Sequence, residues 1–405
     1  MPVTYLDHAA TTPLHPAVAD QLARDLAVLP QAGNPSSQHA AGRRAGALLS
    51  EARARLARAL GVDTHEVLFT SGGTEADALV VAGRVLAARR AGTEHPGLVV
   101  SAVEHPAVLD TARRAEEMLG ARLTVLGVDA AGRVSAEALS AAVEPGTTAL
   151  VSVMAANNET GAVEDLAGLV AAVRARTGTA RPGEPGWVAV HADAVAAVGR
   201  VAVDVHNWGL DAVSLSGHKL GAPVGTGALV LRREVTLVAP TGGGLQERGT
   251  RSGTQDVVGA RALALAVELA VAERQEEAVR LEALRSRLLA GATALEGVHA
   301  TLPDDAAHLP GTAHLWVEDT DAEALLMALD LAGVEASGGS ACHAGVFQPS
   351  EVVLAMGLGE EAARAPLRLS MGRTTTVEDI DRFLAVLPGA VDTARRARRG
   401  SSRYA

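Results

Sequence analysis

One lysine and one cysteine stand out in this 405-residue chain. Its 36 cationic side chains are 35 arginines and a single lysine, Lys219. Arginine serves wherever a fixed cation is wanted, so a lone lysine invites a role that a guanidinium cannot fill: an amine that deprotonates and attacks a carbonyl. The plain alternative is a leftover surface lysine. Lys219 closes the run Ser214-Leu215-Ser216-Gly217-His218-Lys219. Upstream, Phe69-Thr70-Ser71-Gly72-Gly73-Thr74-Glu75 reads as strand, glycine turn and helix start. Its exposed amides and flanking hydroxyls would cradle a phosphate, unless the segment is simply a tight turn. It lacks the nucleotide P-loop spacing, and no GxGxxG follows the first strand. His191-Ala192-Asp193 ends in a carboxylate, either a helix cap or a group that keeps a ring nitrogen protonated. An amine, a carboxylate and a phosphate cradle are together the parts that hold pyridoxal 5′-phosphate. The sole thiol, Cys342, sits in Ser337-Gly338-Gly339-Ser340-Ala341-Cys342-His343-Ala344-Gly345. It is either a small buried apolar residue or a reactive thiolate.

These groups need strands and helices to bring them together. Short apolar runs at Glu66 to Thr70, Leu98 to Val103, Ala149 to Ala155, Trp187 to Ala192 and Ala212 to Leu215 predict strands, and Ala228 to Arg232 a returning one. Helical stretches lie between them, for example Thr74 to Arg90, and residues 36 to 60 carry an amphipathic helix stopped by Gly61. This alternation predicts a mainly parallel sheet flanked by helices, whose function collects at the carboxyl ends of the strands. Past about residue 260 the pattern changes to a long helix, Arg261 to Glu296. A βα-alternating tail follows, with strands at Ala313 to Val317 and Leu367 to Ser370, and helices at Asp321 to Leu331 and from Val377. The expected division is a large domain over 16–260 and a smaller α/β domain from 1–15 and 261–405.

Composition narrows the function classes. A 48% apolar fraction supports a sizeable core, while a net charge of −11 and 2% aromatic content argue against nucleic-acid binding. No apolar run reaches membrane-spanning length, and the first residues have no secretory pattern, so neither a membrane span nor an exported protein is expected. One cysteine excludes an internal disulfide framework and a thiolate metal cluster, and it fits a reducing cytoplasm. The histidines show no HxxxH spacing, so no metal is expected.

The motifs resemble those of the cysteine desulfurases, within the class V aminotransferase group of fold-type-I pyridoxal-phosphate enzymes. The matching stretches are Leu6-Asp7-His8-Ala9-Ala10-Thr11-Thr12-Pro13, Gly33-Asn34-Pro35-Ser36-Ser37, Phe69 to Glu75, Glu104-His105 and Asn157-Asn158-Glu159-Thr160-Gly161. They continue with His191-Ala192-Asp193, Ser216-Gly217-His218-Lys219, Arg248-Gly249-Thr250-Arg251-Ser252-Gly253-Thr254, Ser340-Ala341-Cys342 and Arg368-Leu369-Ser370-Met371-Gly372-Arg373. They run in order and at similar spacing from residue 5 to about residue 390.

The resemblance implies a role for each position. Lys219 would carry the cofactor as a Schiff base, and Asp193 would pair with its pyridine nitrogen. His105 would stack on the ring and move protons. Gly73, Thr74, Ser216 and His218 would grip the phosphate, with Thr254 reaching in from the partner of a homodimer, so that the site is shared. Asn158 would bond the ring hydroxyl, and Arg368 and Asn34 would bind the carboxylate of L-cysteine, a group suited to a bidentate guanidinium. The glycine-rich segment around Cys342 reads as a mobile loop that places a thiol for delivery. As thiolate it would take sulfur as a persulfide, release L-alanine and pass the sulfur to an acceptor protein or small acceptor.

Two departures are visible. The resembled family places Gln three residues after the Asp, as a donor to the ring hydroxyl, whereas this chain has Ala196. The expected result is altered cofactor protonation, compensated by Asn158 or a water; whether the role is housekeeping or a dedicated biosynthetic one stays open. The run Gly242 to Arg248 is one residue longer than usual, which blurs the placement of Thr254. The rival readings are another enzyme of the same cofactor class (a selenocysteine lyase, another Cβ lyase or an aminotransferase) and a non-catalytic sulfur-relay or scaffold protein.

Overall fold

The computed structural model describes residues 3–28, 33–182, 184, 186–339 and 348–401. A seven-stranded sheet forms its centre, in the order β2 (Val67–Thr70), β8 (Gly227–Leu231), β7 (Ala212–Ser216), β6 (Ala189–Asp193), β5 (Thr148–Ser152), β3 (Gly97–Ser101) and β4 (Arg122–Leu126). All pairings among β7, β6, β5, β3 and β4 are parallel, and β8 alone runs against its neighbours β7 and β2. β8 is the returning strand expected from the sequence, made possible by the tight turn at Gly225, which has φ +83°.

Strands buried on both faces need helices on both sides, and the apolar residues divide accordingly. α3 (Gly73–Arg90) and α4 (Pro106–Leu119) cover one face, where Leu68, Val80, Leu98, Val108 and Leu229 pack. α2 (Ala40–Leu60), α6 (Leu166–Thr177) and the first half of α7 (Val257–Ala292) cover the other, with Leu56, Val151, Val170, Val213 and Leu263. The amphipathic segment expected from residue 36 starts its helix at Ala40. The Asn34–Ser37 turn precedes it, and the His39 imidazole caps the Gly42 amide. α1 (Pro16–Val28) and α5 (Ala136–Ala142) complete this layer.

A second hydrophobic core lies around the antiparallel sheet β12 (Pro366–Ser370), β10 (Thr312–Val317) and β9 (Val298–Ala300), covered by α8 (Ala322–Leu331) and α11 (Val377–Ser401). β1 (Thr4–Tyr5) pairs with β11 (Val334–Glu335), and Leu6 enters this core. α9 (Glu351–Ala355) and α10 (Gly359–Arg364) pack at its edge. The 36-residue α7, about 54 Å long at 1.5 Å per residue, joins the two: Ala260 to Val267 are buried in the first core, Leu281 to Ala292 in the second. Among the described residues no helix is long and apolar enough to cross a membrane, and no group of three or more His, Asp or Glu could hold a metal ion.

Candidate active site

Five parallel strands end on one cavity of about 880 Å³. β2 leads through Ser71-Gly72 to Gly73 and Thr74, β3 to Glu104 and His105, and β5 to Met154 and Asn158. β6 ends in Asp193, and β7 delivers Ser216, His218 and Lys219; all but Ser71 and Gly72 line the cavity. The second core supplies Ser337, Gly339, Gln348 and Arg368 from the opposite wall. The carboxyl edge of the sheet therefore faces the smaller core across a cleft, the usual position for a ligand in an open α/β sheet.

Lys219 ends a short 3-10 turn, Gly217–Lys219, and its Nζ donates to the Ala9 and Ala10 carbonyls at 2.5 and 2.9 Å. The N-terminal segment is tied down over it: the Thr12 amide donates to the His218 carbonyl, and the Thr12 hydroxyl to that of Lys219. Burial brings the amine pKa from 10.5 to about 8, aided by the Arg368 and Arg200 charges and opposed by Asp7 and Asp193. Asp193 is buried, which raises its pKa. The Val195 amide, donating to Oδ1 at 2.8 Å, and the positive charges of His105 and Lys219 act the other way. His105 caps α4 ahead of Pro106: its Nδ1 accepts from the Ala107 amide at 3.1 Å. In the neutral ring this leaves the proton on Nε2, and burial, the main cause, lowers the pKa against the pull of Asp193. His218 is likewise depressed, to about 4, by burial and the Lys219 charge.

On the facing wall Arg368 is buried in β12. Its Nη1 donates to the Asn158 carbonyl at 2.9 Å, its Nη2 to Asp7 Oδ1 at 2.8 Å, and its buried Nε has no partner among the described residues. Of the residues expected from sequence, Lys219, His105, Gly73, Thr74, Asn158, Asp193, Ser216, His218 and Arg368 line one cavity, as does Ala196. Asn34 and Thr254 are exposed and outside that lining; Asn34 Oδ1 accepts from the Ser36 amide. Cys342 lies outside the described residues.

The structure also brings in residues to which the sequence reading gave no role. Asp77 lines the cavity one helical turn after Thr74, buried, its Oδ1 3.6 Å from His191 Nε2. His191 itself bridges the Ser152 and Ser214 hydroxyls at 2.8 and 2.9 Å, and its complete burial lowers its pKa to about 3. Glu104 accepts from the Met154 amide at 2.6 Å. Burial first, then the nearby Asp193 charge, holds both acids well above the usual carboxylate range. Glu104 directly precedes His105, and Asp77 follows Thr74 at helical spacing. Those two signals could have flagged them.

The residues present fit pyridoxal phosphate. The start of α3 offers backbone amides to an anion at the strand end, and a Cβ at Gly73 would lie 2.5 Å from Val195 Cγ2 and 3.6 Å from Ser216 Cβ, so the cradle has no room for a side chain there. The amine opposite is desolvated, and the nearest strand end carries a buried acid.

Comparison with known proteins gives the same picture. Residues 4–383 match the family model described as aminotransferase class-V. The chain is 46% identical over 397 residues to an IscS-like cysteine desulfurase of Mycobacterium tuberculosis, covering 98% of each chain. A NifS-like protein from Rickettsia africae superposes with a TM-score of 0.84 at 29% identity, over 96% of this chain and 99% of that one. A structure described as SspA in complex with cysteine does so with a TM-score of 0.75 at 29% identity, over 91% and 98%.

Proposed function

The chain belongs to the aminotransferase class-V family, and we infer from that membership and from one observation that it is a pyridoxal-phosphate-dependent cysteine desulfurase. The observation is the placement of the sole lysine: a desolvated amine in the turn after β7, its pKa lowered to about 8, in one cavity with a buried carboxylate, an imidazole and a buried guanidinium. In this reading Lys219 holds the cofactor covalently, Asp193 its ring nitrogen, His105 its face and Asn158 its ring hydroxyl. Gly73, Thr74, Ser216 and His218 hold its phosphate, joined by Thr254 of the second subunit in a homodimer. The exposure of Thr254 supports a role outside its own cavity. The two hydrophobic cores support a large domain over 16–260 and a small one from 1–15 and 261–405. The single cysteine supports a reducing, cytoplasmic setting.

When bound, pyridoxal phosphate supplies the electron sink that acidifies the Cα–H of an amino acid and loosens its Cβ–S bond. Everything else falls to the chain. Arg368 receives the substrate carboxylate with a guanidinium already oriented by Asp7 and the Asn158 carbonyl; Asn34 joins it on the strength of the resemblance alone. A Lys219 amine with a pKa of about 8 can hold the Cα proton at neutral pH, and His105 can carry one only at Nε2. The thiolate of Cys342 attacks the substrate sulfur: an S–S bond forms, the Cβ–S bond breaks and Cβ takes a proton. Alanine leaves, and the persulfide passes to an acceptor.

The test is to incubate the holoprotein with L-cysteine and a reductant and to measure alanine and sulfide. Wild type should release both, and Cys342→Ala should lose about 100-fold or more in rate. Formation of pyruvate or a keto acid in place of alanine would overturn the reading.

A further inference from the structure

The anion cradle at the start of α3 has an acid built into it. Glu75 lies in the first turn of that helix, directly after Thr74, and its Oε2 accepts from the Ser71 amide at 2.5 Å. Burial would raise its pKa, but the Ser71 hydrogen bonds and Arg251 hold it below the usual carboxylate value, so it is charged at neutral pH. A negative charge beside amides that are to receive a phosphate opposes binding. Arg251 offsets it: its Nε donates to Glu75 Oε1 at 3.0 Å, and both side chains are about three-quarters buried. Arg251 comes from a segment pinned independently on β2. Leu245, Glu247 and Arg248 have φ of +59°, +46° and +59°, a left-handed run that non-glycine residues keep only where their surroundings impose it. The buried Glu247 carboxylate imposes it. It takes both Arg53 Nη atoms at 2.6 and 2.7 Å, the Phe69 amide of β2 at 2.9 Å and Gln255 Nε2 at 3.2 Å. Gln246 Oε1 closes the segment by accepting from the Gly253 amide at 3.0 Å. Segment 245–255 is thus fixed to the corner between β2 and α3 at two points, Phe69 and Glu75.

We propose that Arg251 is a positioning residue for the cofactor phosphate: it cancels the Glu75 charge and holds that carboxylate on the Ser71 amide, so that the start of α3 meets an anion without an unopposed like charge beside it. This rests on the reading of the cavity as a pyridoxal-phosphate site. Arg251 is outside the cavity lining, so it acts on the phosphate through Glu75.

Pyridoxal, which lacks the phosphate, separates this effect from the rest of the site. The apoproteins of wild type, Arg251→Ala, Glu75→Gln and the double variant are titrated with pyridoxal phosphate and with pyridoxal, and binding is followed by absorbance. Wild type should prefer pyridoxal phosphate. Arg251→Ala should bind it about tenfold more weakly, a loss that shrinks at high salt, while its affinity for pyridoxal stays within about twofold of wild type. Glu75→Gln, whose amide oxygen can still accept from Ser71, should bind pyridoxal phosphate at least as well as wild type. Because the charge that Arg251 cancels is then gone, the double variant should return to within about twofold of wild type. A displaced Thr254 would also weaken phosphate binding, but Glu75→Gln would not repair that. Unchanged pyridoxal-phosphate affinity in Arg251→Ala, equal losses for both ligands, or a double variant as weak as Arg251→Ala would overturn the proposal. If Arg251→Ala does not fold, Arg251→Gln takes its place. A wild type that binds pyridoxal as tightly as pyridoxal phosphate would instead overturn the reading of the α3 start as a phosphate cradle.

Discussion

The Lys219 amine loses water on entering the cavity and meets the Arg368 and Arg200 charges, so its cationic form is penalised in spite of two carbonyl acceptors and the Asp7 and Asp193 carboxylates. The sign follows directly: with the pKa lowered from 10.5 to about 8, the nucleophilic neutral form dominates above pH 8 and disappears below it. Uptake of pyridoxal phosphate by the apoprotein, followed by cofactor absorbance, should therefore rise with pH to a midpoint near 8. A midpoint above 10 would mean that the amine is solvated. Lys219 and Asp193 were legible in the sequence because Asp193 closes the apolar run of β6 and Lys219 lies in the short turn directly after that of β7, and residues that end or directly follow a strand reach the sheet edge whatever lies around them. Arg200, Asp77 and the role of Arg251 were not. Arg200 lines the cavity and lowers the Lys219 pKa from a stretch with no motif, and Arg251 acquires its meaning from Glu75, 176 residues away.

At the scale of elements, the site depends on how tightly the turn after β7 is held. Gly217 starts that turn between Thr226, Ala222 and Leu263 of α7. A Cβ there would overlap Thr226 Oγ1 and lie 3.0 Å from Ala222 Cβ and 3.1 Å from Leu263 Cδ1. Gly217→Ala should cost about 1–3 kcal/mol by overpacking, seen as a lowered Tm, and it should weaken pyridoxal-phosphate binding because Lys219 rides on the displaced turn. Unchanged melting and cofactor affinity would show that the turn has slack. The helix–strand alternation behind this arrangement could be read from apolar spacing, including the reversed β8. The order β2-β8-β7-β6-β5-β3-β4 could not, since it depends on which strand edges meet after the crossovers. Nor could the pairing of two-residue β1 with β11, which is too short to leave a periodic signal.

For the molecule as a whole, the cavity lies where two hydrophobic cores face each other, and α7 runs through both. The Lys219 amine, Asp193 and the Gly73 turn belong to the large sheet, while the Arg368 guanidinium belongs to the small one. Neither core alone contains a working set of groups. The sequence foreshadowed this division in its change of pattern near residue 260, but not that α7 would cross it unbroken. The central claim, that this assembly exists to hold a cofactor on one amine, is tested most directly by reducing the pyridoxal-phosphate-loaded protein with borohydride and mapping the product by peptide mass. Because the chain has one lysine, the prediction is a single pyridoxyl adduct on the peptide containing Lys219, absent from Lys219→Ala. An unmodified Lys219 peptide after reduction would contradict the account.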